Sequence, residues 1–214
     1  MLDRGSRLCE IAGELGFTLG SRERDRLLEY LALLQRWNGV YNLTAVRDPE
    51  AMLTQHLADC MAVIPALERV RPAGRLLDVG SGGGLPGVVI ATLMADVDVT
   101  CVDTVGKKVA FLRQVAGTLG LPNLHAMHGR VESLQALPFD VIASRAFATL
   151  ADFTRLTEGL LSSGGVWMAM KGRVPDDEIT ALRVEIEMFH VEPLIVPGLD
   201  GQRCLVWMRK RQRA

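Results

Sequence analysis

The chain has 214 residues, of which 49% are hydrophobic and 23% charged, and its formal net charge is −1. A chain of this length buries about 70% of its unfolded surface, so its core needs no disulfides or metals. The composition excludes a disordered protein, and no uncharged apolar run approaches the ~18 residues of a membrane span. The N-terminus lacks the apolar segment of a signal peptide. We expect a soluble, cytoplasmic protein, most simply a monomer.

The cysteines are isolated in the sequence and do not form a C-x-x-C pair; they are Cys9, Cys60, Cys101 and Cys204. Each lies in an apolar stretch, which predicts buried free thiols of the kind found in a reducing compartment. His125 and His128 are separated by two residues within a predicted strand and have no third ligand nearby in the sequence. We therefore predict that the protein holds no metal.

The first part of the chain, residues 1–72, is predicted to be helical. Apolar residues recur at helical spacing near 8–15 and again from Ser21 to Trp37. Asp48 followed by Pro49 has the pattern of a helix cap with proline at the first helical position. A third helix is predicted from there to about residue 67.

The second part, residues 73–214, alternates strands with helices. The predicted strands are 75–80, 97–103, 123–129, 139–146, 164–171, 189–196 and 203–209, and the predicted helices are 86–95, 106–119, 149–161 and 175–188. This alternation indicates an α/β fold with a largely parallel sheet. The last two strands are joined by a short loop containing Pro197, Gly198 and Gly201, which predicts a C-terminal antiparallel hairpin. We expect the helical segment 1–72 to pack on this domain.

A glycine-rich loop closes the first predicted strand and opens the next helix, with the sequence D-V-G-S-G-G-G-L-P-G from Asp78 to Gly87. In open parallel sheets, ligands bind at the carboxyl ends of the strands. Glycines let the backbone approach such a ligand without a clash from Cβ. The loop therefore predicts a cofactor site.

Two cofactors are compatible with this loop. Gly82 to Gly87 also match G-x-G-x-x-G, and Asp103 follows about 20 residues later, as in nicotinamide-dinucleotide proteins. Asp78, just before the first glycine, suits a cationic sulfonium and amino group better than a pyrophosphate. Asp103 can accept from both ribose hydroxyls of either cofactor, whereas the terminal hairpin is typical of methyltransferase sheets. These features favour S-adenosylmethionine (SAM).

Seven segments, in order along nearly the whole chain, resemble the bacterial small-subunit rRNA guanine-N7 methyltransferase family, also called the glucose-inhibited division protein B family. They are WNGVYNLTAVRDPEAMLTQHLADC (37–60), LLDVGSGGGLPG (76–87), DTVGKKVAFLRQV (103–115), GRVE (129–132), SRAFATL (144–150), MKG (170–172) and LDGQR (199–203). Within the loop, SGGG stands where TGPG is commoner in the family.

The resemblance implies a class I SAM-dependent methyltransferase fold with a Rossmann-like sheet. It also implies methylation of one guanine at N7 in 16S rRNA, in the decoding region of the small ribosomal subunit. Cofactor contacts carry over to Gly80, Leu85, Val131, Glu132 and Arg145. The motif adds Asp78, Gly82, Gly84 and Asp103, and Glu132 is expected beside the adenine.

Guanine N7 carries a lone pair and no proton, so it can attack the sulfonium methyl without a general base. Catalysis then consists mostly of placement, and we assign this role to Arg145 and Asn42. Arg145 closes the fourth predicted strand and could bind the SAM carboxylate, an RNA phosphate or the guanine O6 edge.

The residues expected to contact the RNA are Trp37, Tyr41, His56, Phe147, Lys171, Arg209 and Lys210. Trp37 and Tyr41 share one helix face, and Asn38 and Asn42 an adjacent one; they form either a lid over a flipped base or a buried helix end with capping asparagines. Phe147 either stacks on the base or belongs to the core. His56 and Asp59 share a helix face, either in the cleft or as structural residues.

Basic residues support a polyanionic partner, 16S rRNA or the small ribosomal subunit. One group is predicted at the rim of the cleft, namely Lys107, Lys108, Arg113, Arg130, Lys171 and Arg173. A second is the tail, with Arg203, Arg209, Lys210, Arg211 and Arg213. Three alternatives remain open: a SAM-dependent enzyme for a small molecule, a nicotinamide-dependent oxidoreductase, and a ribosome assembly factor with a vestigial site.

Overall fold

A computed structural model of the chain describes residues 3–70 and 74–211. The expected boundary at residues 72 and 73, and Arg213 of the tail, lie outside the described residues. The helices are α1 (Arg4–Glu14), α2 (Ser21–Tyr41), α3 (Pro49–Met52), α4 (Asp59–Met61), α5 (Ile64–Val70), α6 (Gly87–Leu93), α7 (Gly106–Leu119), α8 (Leu150–Thr157) and α9 (Asp176–Thr180). The strands are β1 (Arg75–Val79), β2 (Asp98–Asp103), β3 (Leu124–His128), β4 (Phe139–Ser144), β5 (Leu161–Lys171), β6 (Ile186–Pro193) and β7 (Cys204–Lys210).

The strands form one seven-stranded sheet in the order β3-β2-β1-β4-β5-β7-β6. β1 to β5 are mutually parallel, whereas β7 runs antiparallel to both β5 and β6. The predicted mostly parallel sheet with a C-terminal antiparallel hairpin is therefore confirmed. Since β1 lies between β2 and β4, the strand order reverses at β1, the position where open α/β sheets bind ligands.

The register of β7 fixes which end of the sheet its residues occupy. Cys204 pairs with Lys171 at the carboxyl end of β5, and Arg209 pairs with Val166 nearer the amino end. Arg209 and Lys210 therefore lie toward the edge opposite the carboxyl ends of the parallel strands. Five residues of strand separate the two ends of this ladder by roughly 16 Å.

The predicted third helix is confirmed in outline but is interrupted. Asp48 accepts a hydrogen bond from the Ala51 N–H, and Pro49 is the first residue of α3, as its sequence pattern predicts. The chain then widens into a π-helix over Leu53–Ala58 before α4 begins at Asp59. π-Helical turns are rare and occur often at functional sites. This one carries His56 and precedes Asp59, and both side chains are buried.

Apolar clusters cover both faces of the sheet. On one face, α1, α2 and the π-helix pack with α6 and α7 around Leu8, Tyr30, Leu57 and Phe111. On the other face, α8 packs Phe153 against Trp167. The Tyr30 side chain is fully buried, and its hydroxyl donates to the carbonyl oxygen of Gly83 at 2.7 Å. The N-terminal helices therefore contact the glycine-rich loop directly.

Two sequence expectations are wrong. The helix predicted over 175–188 is limited to the five residues of α9, and β6 begins at Ile186 rather than at 189. The edge of β7 explains this difference, because it pairs with the backbone along Ile186–Pro193. Cys9 is exposed, whereas the other three cysteines are buried, as expected.

Within residues 3–70 and 74–211, no helix combines the length and continuous apolar character that crossing a bilayer requires.

Replacement of Tyr30 by phenylalanine tests the link between α2 and the glycine-rich loop. We expect Tyr30→Phe to lower the free energy of unfolding by about 1–2 kcal/mol, because the Gly83 carbonyl loses its partner beside a buried ring. Urea unfolding measures this, with Tyr41→Phe, at a ring that is 42% exposed, as control. Equal stability of Tyr30→Phe and wild type would contradict the prediction.

Candidate cofactor and substrate site

Two adjoining cavities lie at the carboxyl ends of β1, β2 and β4. The first has a volume of roughly 340 Å³ and is bounded by Asp103, the turn Gly129–Glu132 and Phe147. The second, of roughly 240 Å³, is bounded by the glycine-rich loop, Arg145 and residues of the N-terminal helical segment. Both include Gly80, Lys108 and Ala146 in their walls, so they form one groove across Gly80.

Backbone geometry explains the glycines of the loop. Gly80, Gly82 and Gly84 have φ values of +67°, +57° and +93°, in the region that favours glycine. A Cβ atom at Gly84 would lie 2.5 Å from side-chain atoms of Leu112 and Val88. The loop can therefore run close to α6 and α7 while its other side faces the groove.

Asp103 holds the loop from the end of β2. One of its oxygens accepts from the Gly82 N–H at 3.0 Å, and the other accepts from the Val105 N–H at 2.8 Å. The Lys108 ammonium lies 3.5 Å from the first oxygen. A carboxylate has about four acceptor positions, so Asp103, in the wall of the first cavity, retains acceptors for the hydroxyl groups of a ligand.

Asp78 lies beneath the loop rather than in the groove. Its side chain is fully buried, and one oxygen accepts from the Gly87 N–H at 2.9 Å. The other oxygen has no hydrogen-bond partner within the described part of the chain. Burial raises the pKa of Asp78 to about 7, against the lowering effect of the Gly87 hydrogen bond. The expectation that Asp78 faces the sulfonium and amino group of the cofactor does not match this placement.

Arg145 forms one side of the second cavity, immediately after β4. Its guanidinium donates to the Gln55 carbonyl at 3.2 Å and to the buried carboxylate of Asp59 at 3.4 Å. The π-helix, through Gln55, and the start of α4, through Asp59, therefore position the arginine that the family resemblance implies for cofactor binding. The other oxygen of Asp59 accepts from Arg203 at 2.9 Å.

The predicted cofactor residues divide by position. Those that bound the groove are Gly80, Gly82, Leu85, Asp103, Val131, Glu132 and Arg145. Asp78 and Gly84 lie behind the loop instead. Sequence reasoning missed Leu34, Leu43 and Thr44 in the second cavity. The sequence gives little indication of this position for Leu43 and Thr44. The left-handed conformation of Asn42, just after α2, turns the chain so that these two residues reach the glycine-rich loop.

The aromatic pair on α2 packs against α7 and does not border the groove. Trp37 donates through Nε1 to Gln114 at 3.1 Å, and its ring lies 5.5 Å from that of Phe111. Tyr41 stacks beside Trp37, with the Lys107 ammonium 4.9 Å from its ring centroid. Trp37 is thus mainly an anchor between helices, whereas Tyr41 is exposed beside Lys107.

His56 and Asn42 act on the loop that follows α2. The His56 ring is buried, and its Nε2 lies 2.8 Å from the Thr44 hydroxyl. Burial lowers the pKa of His56, and the charge of Arg145 lowers it further. The exposed Asn42 accepts from Arg47 at 3.2 Å and lies outside the walls of both cavities. The buried position of His56 does not fit the expected RNA contact, and Asn42 is not placed at the groove where its expected catalytic role requires it.

The remaining expected RNA contacts occupy different places. Phe147 borders the first cavity, next to Gly80. Lys171 pairs with Glu178 at 2.8 Å in a separate surface pocket. Arg209 pairs with Glu187 at the opposite edge of the sheet, where Lys210 follows. The antiparallel course of β7 thus places Arg209 and Lys210 away from the groove, and their contact with the RNA stays a prediction for a different surface.

No group of three or more His, Cys, Asp or Glu side chains among the described residues is arranged to hold a metal ion. His125 pairs with Asp98, and His128 lies 3.0 Å from the Thr104 carbonyl.

A family model described as rRNA small subunit methyltransferase G matches residues 23–206. A protein named ribosomal RNA small subunit methyltransferase G from Leptothrix cholodnii is 60% identical over 205 residues, covering 95% of this chain and 94% of that protein. Its namesake from Acidovorax sp. (strain JS42) is 57% identical over 212 residues, covering 94% and 93%. The chain belongs to this family. The resemblance inferred from the sequence is confirmed, and the chain is a methyltransferase.

Solved structures share the fold at low sequence identity. TrmN from Thermus thermophilus has a TM-score of 0.55 and 18% identity, covering 74% of this chain and 53% of that chain. Coclaurine N-methyltransferase bound to N-methylheliamine and SAH has a TM-score of 0.56 and 14% identity, covering 78% and 58%. These likenesses confirm the class I methyltransferase fold. The nicotinamide-dependent alternative finds no support in either comparison.

The buried Asp78 predicts a pH dependence of stability. Its pKa of about 7 in the folded chain exceeds the ordinary value of 3.8. Between these pH values the folded chain keeps a proton that the unfolded chain has released, so the stability that Asp78 contributes is largest below pH 3.8 and is lost as the pH rises through 7. We expect Asp78→Asn to gain about 3 kcal/mol in free energy of unfolding relative to wild type between pH 5 and pH 8.

Urea unfolding of both proteins at several pH values measures this difference. A difference that stays constant across the range would show that Asp78 is ionised throughout in the folded protein. Asp25→Asn, at an exposed carboxylate that pairs with Arg24 on α2, serves as the control.

Proposed function

We propose that this chain transfers a methyl group from SAM to N7 of one guanine in the 16S rRNA of the small ribosomal subunit, in its decoding region. The main support for the proposal is the groove across Gly80. It offers a carboxylate acceptor, Asp103, in one cavity and a guanidinium, Arg145, in the other. The relatives that match nearly the whole chain are named for methylation of small-subunit ribosomal RNA.

The polar groups in the groove suit the functional groups of SAM. Asp103 would accept from the ribose hydroxyls, and the turn at Val131 and Glu132 would hold the adenine in the first cavity. Arg145 and Lys108 would bind the carboxylate of the amino-acid end in the second cavity. When bound, SAM supplies an electrophilic methyl group on a sulfonium.

The chain's own residues then act by placement and by excluding water. Guanine N7 has a lone pair and no proton, so no side chain has to remove one. Leu34, Leu43 and Thr44 cover the second cavity from the N-terminal side. Phe147, in the wall beside Gly80, offers an aromatic face on which the target base can stack. Alignment and desolvation of the reacting atoms are thus the main source of catalysis.

Exposed cations near the groove fit an RNA partner. Lys107 lies beside Tyr41, Arg130 borders the first cavity, and Arg173 follows β5. Such side chains bind phosphates without reading sequence. The 16S rRNA or the small subunit is therefore the proposed partner, the cytoplasm the proposed compartment and a monomer the proposed state. A small-molecule substrate would not need these exposed cations.

Methyl transfer to ribosomal subunits tests the proposal directly. Labelled SAM is incubated with small subunits from cells that lack this gene, and with subunits from normal cells. We expect label in the deficient subunits only, at one guanine whose backbone becomes cleavable after N7-specific chemistry. Label in neither or in both equally would contradict the rRNA assignment.

Arg145→Ala should lose most of this activity, about 100-fold, because the groove loses its guanidinium. Arg24→Ala, at an arginine paired with Asp25 on the first turn of α2, is the matched control and should keep it. Equal activity of both variants would contradict the role assigned to Arg145.

A further inference from the structure

One buried carboxylate joins two arginines from distant parts of the chain. Asp59, only 3% exposed, accepts from Arg145 Nη1 at 3.4 Å through one oxygen and from Arg203 Nε at 2.9 Å through the other. Asp59 begins α4, Arg145 follows β4, and Arg203 precedes β7. The contact therefore connects the N-terminal helical segment to both halves of the sheet.

The charges in this cluster do not balance. Lys108, Arg130 and Lys171 at this edge each have a carboxylate partner of their own, in Asp103, Glu132 and Glu178. Asp59 alone serves two guanidinium groups. The three side chains together carry one surplus positive charge beside the second cavity, where Arg145 forms part of the wall.

Asp59 determines where that charge lies. The side chains of Arg145 and Arg203 are 27% and 29% exposed, so both arginines can move toward water. Two like charges that share one partner repel each other, and at low local dielectric the repulsion is strong. The carboxylate between them offsets the repulsion and holds Arg145 against the Gln55 carbonyl. Asp59 itself is not part of the wall of either cavity.

We propose that Asp59 is a positioning residue that keeps the Arg145 guanidinium at the cavity wall by bridging it to Arg203. It acts through Arg145 and does not touch the ligand. The proposal rests on the proposed function, since Arg145 is expected to meet the carboxylate of the cofactor.

The affinity for S-adenosylhomocysteine, measured by titration calorimetry, tests the proposal without using activity. Asp59→Asn keeps the shape of the side chain but removes the charge. We expect its dissociation constant to rise about tenfold, because the two arginines separate and Arg145 leaves the wall. The matched control is Glu192→Gln, at a mostly buried carboxylate that also serves two donors, Trp207 and Arg69. It should bind within about twofold of wild type.

A second substitution separates positioning from general support of the fold. Arg203→Met in the Asp59→Asn background removes the repelling cation, so about threefold or more of the lost affinity should return. Arg203→Met alone leaves the Asp59–Arg145 pair and should have a smaller effect than Asp59→Asn. Asp59→Glu keeps the charge and should also bind more tightly than Asp59→Asn. If Asp59 served only the fold, the double variant would bind no better than Asp59→Asn.

The outcomes are distinct. If wild type binds no S-adenosylhomocysteine, the proposed cofactor fails, and this inference fails with it. If wild type binds and Asp59→Asn binds within twofold of it, only the inference is overturned. A weakened Asp59→Asn that Arg203→Met does not rescue also overturns it.

Should Asp59→Asn fail to fold, nitrogen-15 NMR of wild type decides. The guanidinium signals of Arg145, assigned by comparison with Arg145→Lys, should show slow rotation about the Cζ–Nε bond. Free rotation would show that Asp59 does not hold this side chain and would overturn the proposal.

Discussion

Side chains from three different parts of the chain hold the glycine-rich loop in place through hydrogen bonds. Asp103 at the end of β2 accepts from Gly82, Tyr30 on α2 donates to Gly83, and Asp78 on β1 accepts from Gly87 just beyond the loop. The positive φ angles within the loop are accessible to glycine at little cost. This constraint keeps one side of the loop packed on α6 and α7 and the other side open to the groove.

The N-terminal helices are part of the site as well as part of the core. They bury Tyr30 beneath the loop and place Leu34, Leu43 and Thr44 over the second cavity. The π-helix and the start of α4 bring Gln55 and Asp59 to Arg145 at the end of β4. The first cavity is therefore formed by the methyltransferase domain alone, whereas the second is formed by the glycine-rich loop together with the helical segment. The ligand-binding groups therefore lie on the sheet and on the helical layer packed against it, and the apolar core between these layers fixes their relative position.

The sheet and its loop could be predicted from the sequence because their signals are local. Apolar runs in the sequence mark β1, which ends before Gly80, β2, which ends at Asp103, and α7, which ends before Gly120. The Asp48-Pro49 cap marks the start of α3. The helix predicted over 175–188 failed because pairing with β7 is a long-range interaction that outweighs local propensity. The register of β7 could not be predicted either, and it places Arg209 at the edge of the sheet opposite the groove.

The sequence predicted most of the residues that line the site, but it did not predict how they are buried and paired. Seven of the nine expected cofactor residues border the groove, since a strand end followed by glycines defines its position in an α/β sheet. Burial and pairing have no such local signal. Asp78 lies under the loop, and Lys171 pairs with Glu178. Asp59 joins Arg145 to Arg203, which follows Asp59 by 144 positions in the sequence. Each of these depends on contacts between distant segments.

A crystal structure of the chain with S-adenosylhomocysteine tests most directly whether the groove across Gly80 is the cofactor site. The adenine should lie at Val131 and Glu132, the ribose hydroxyls at Asp103, and the carboxylate at Arg145. Density for the ligand elsewhere, such as the surface pocket at Lys171 and Glu178, or in the reverse orientation within the groove, would contradict it.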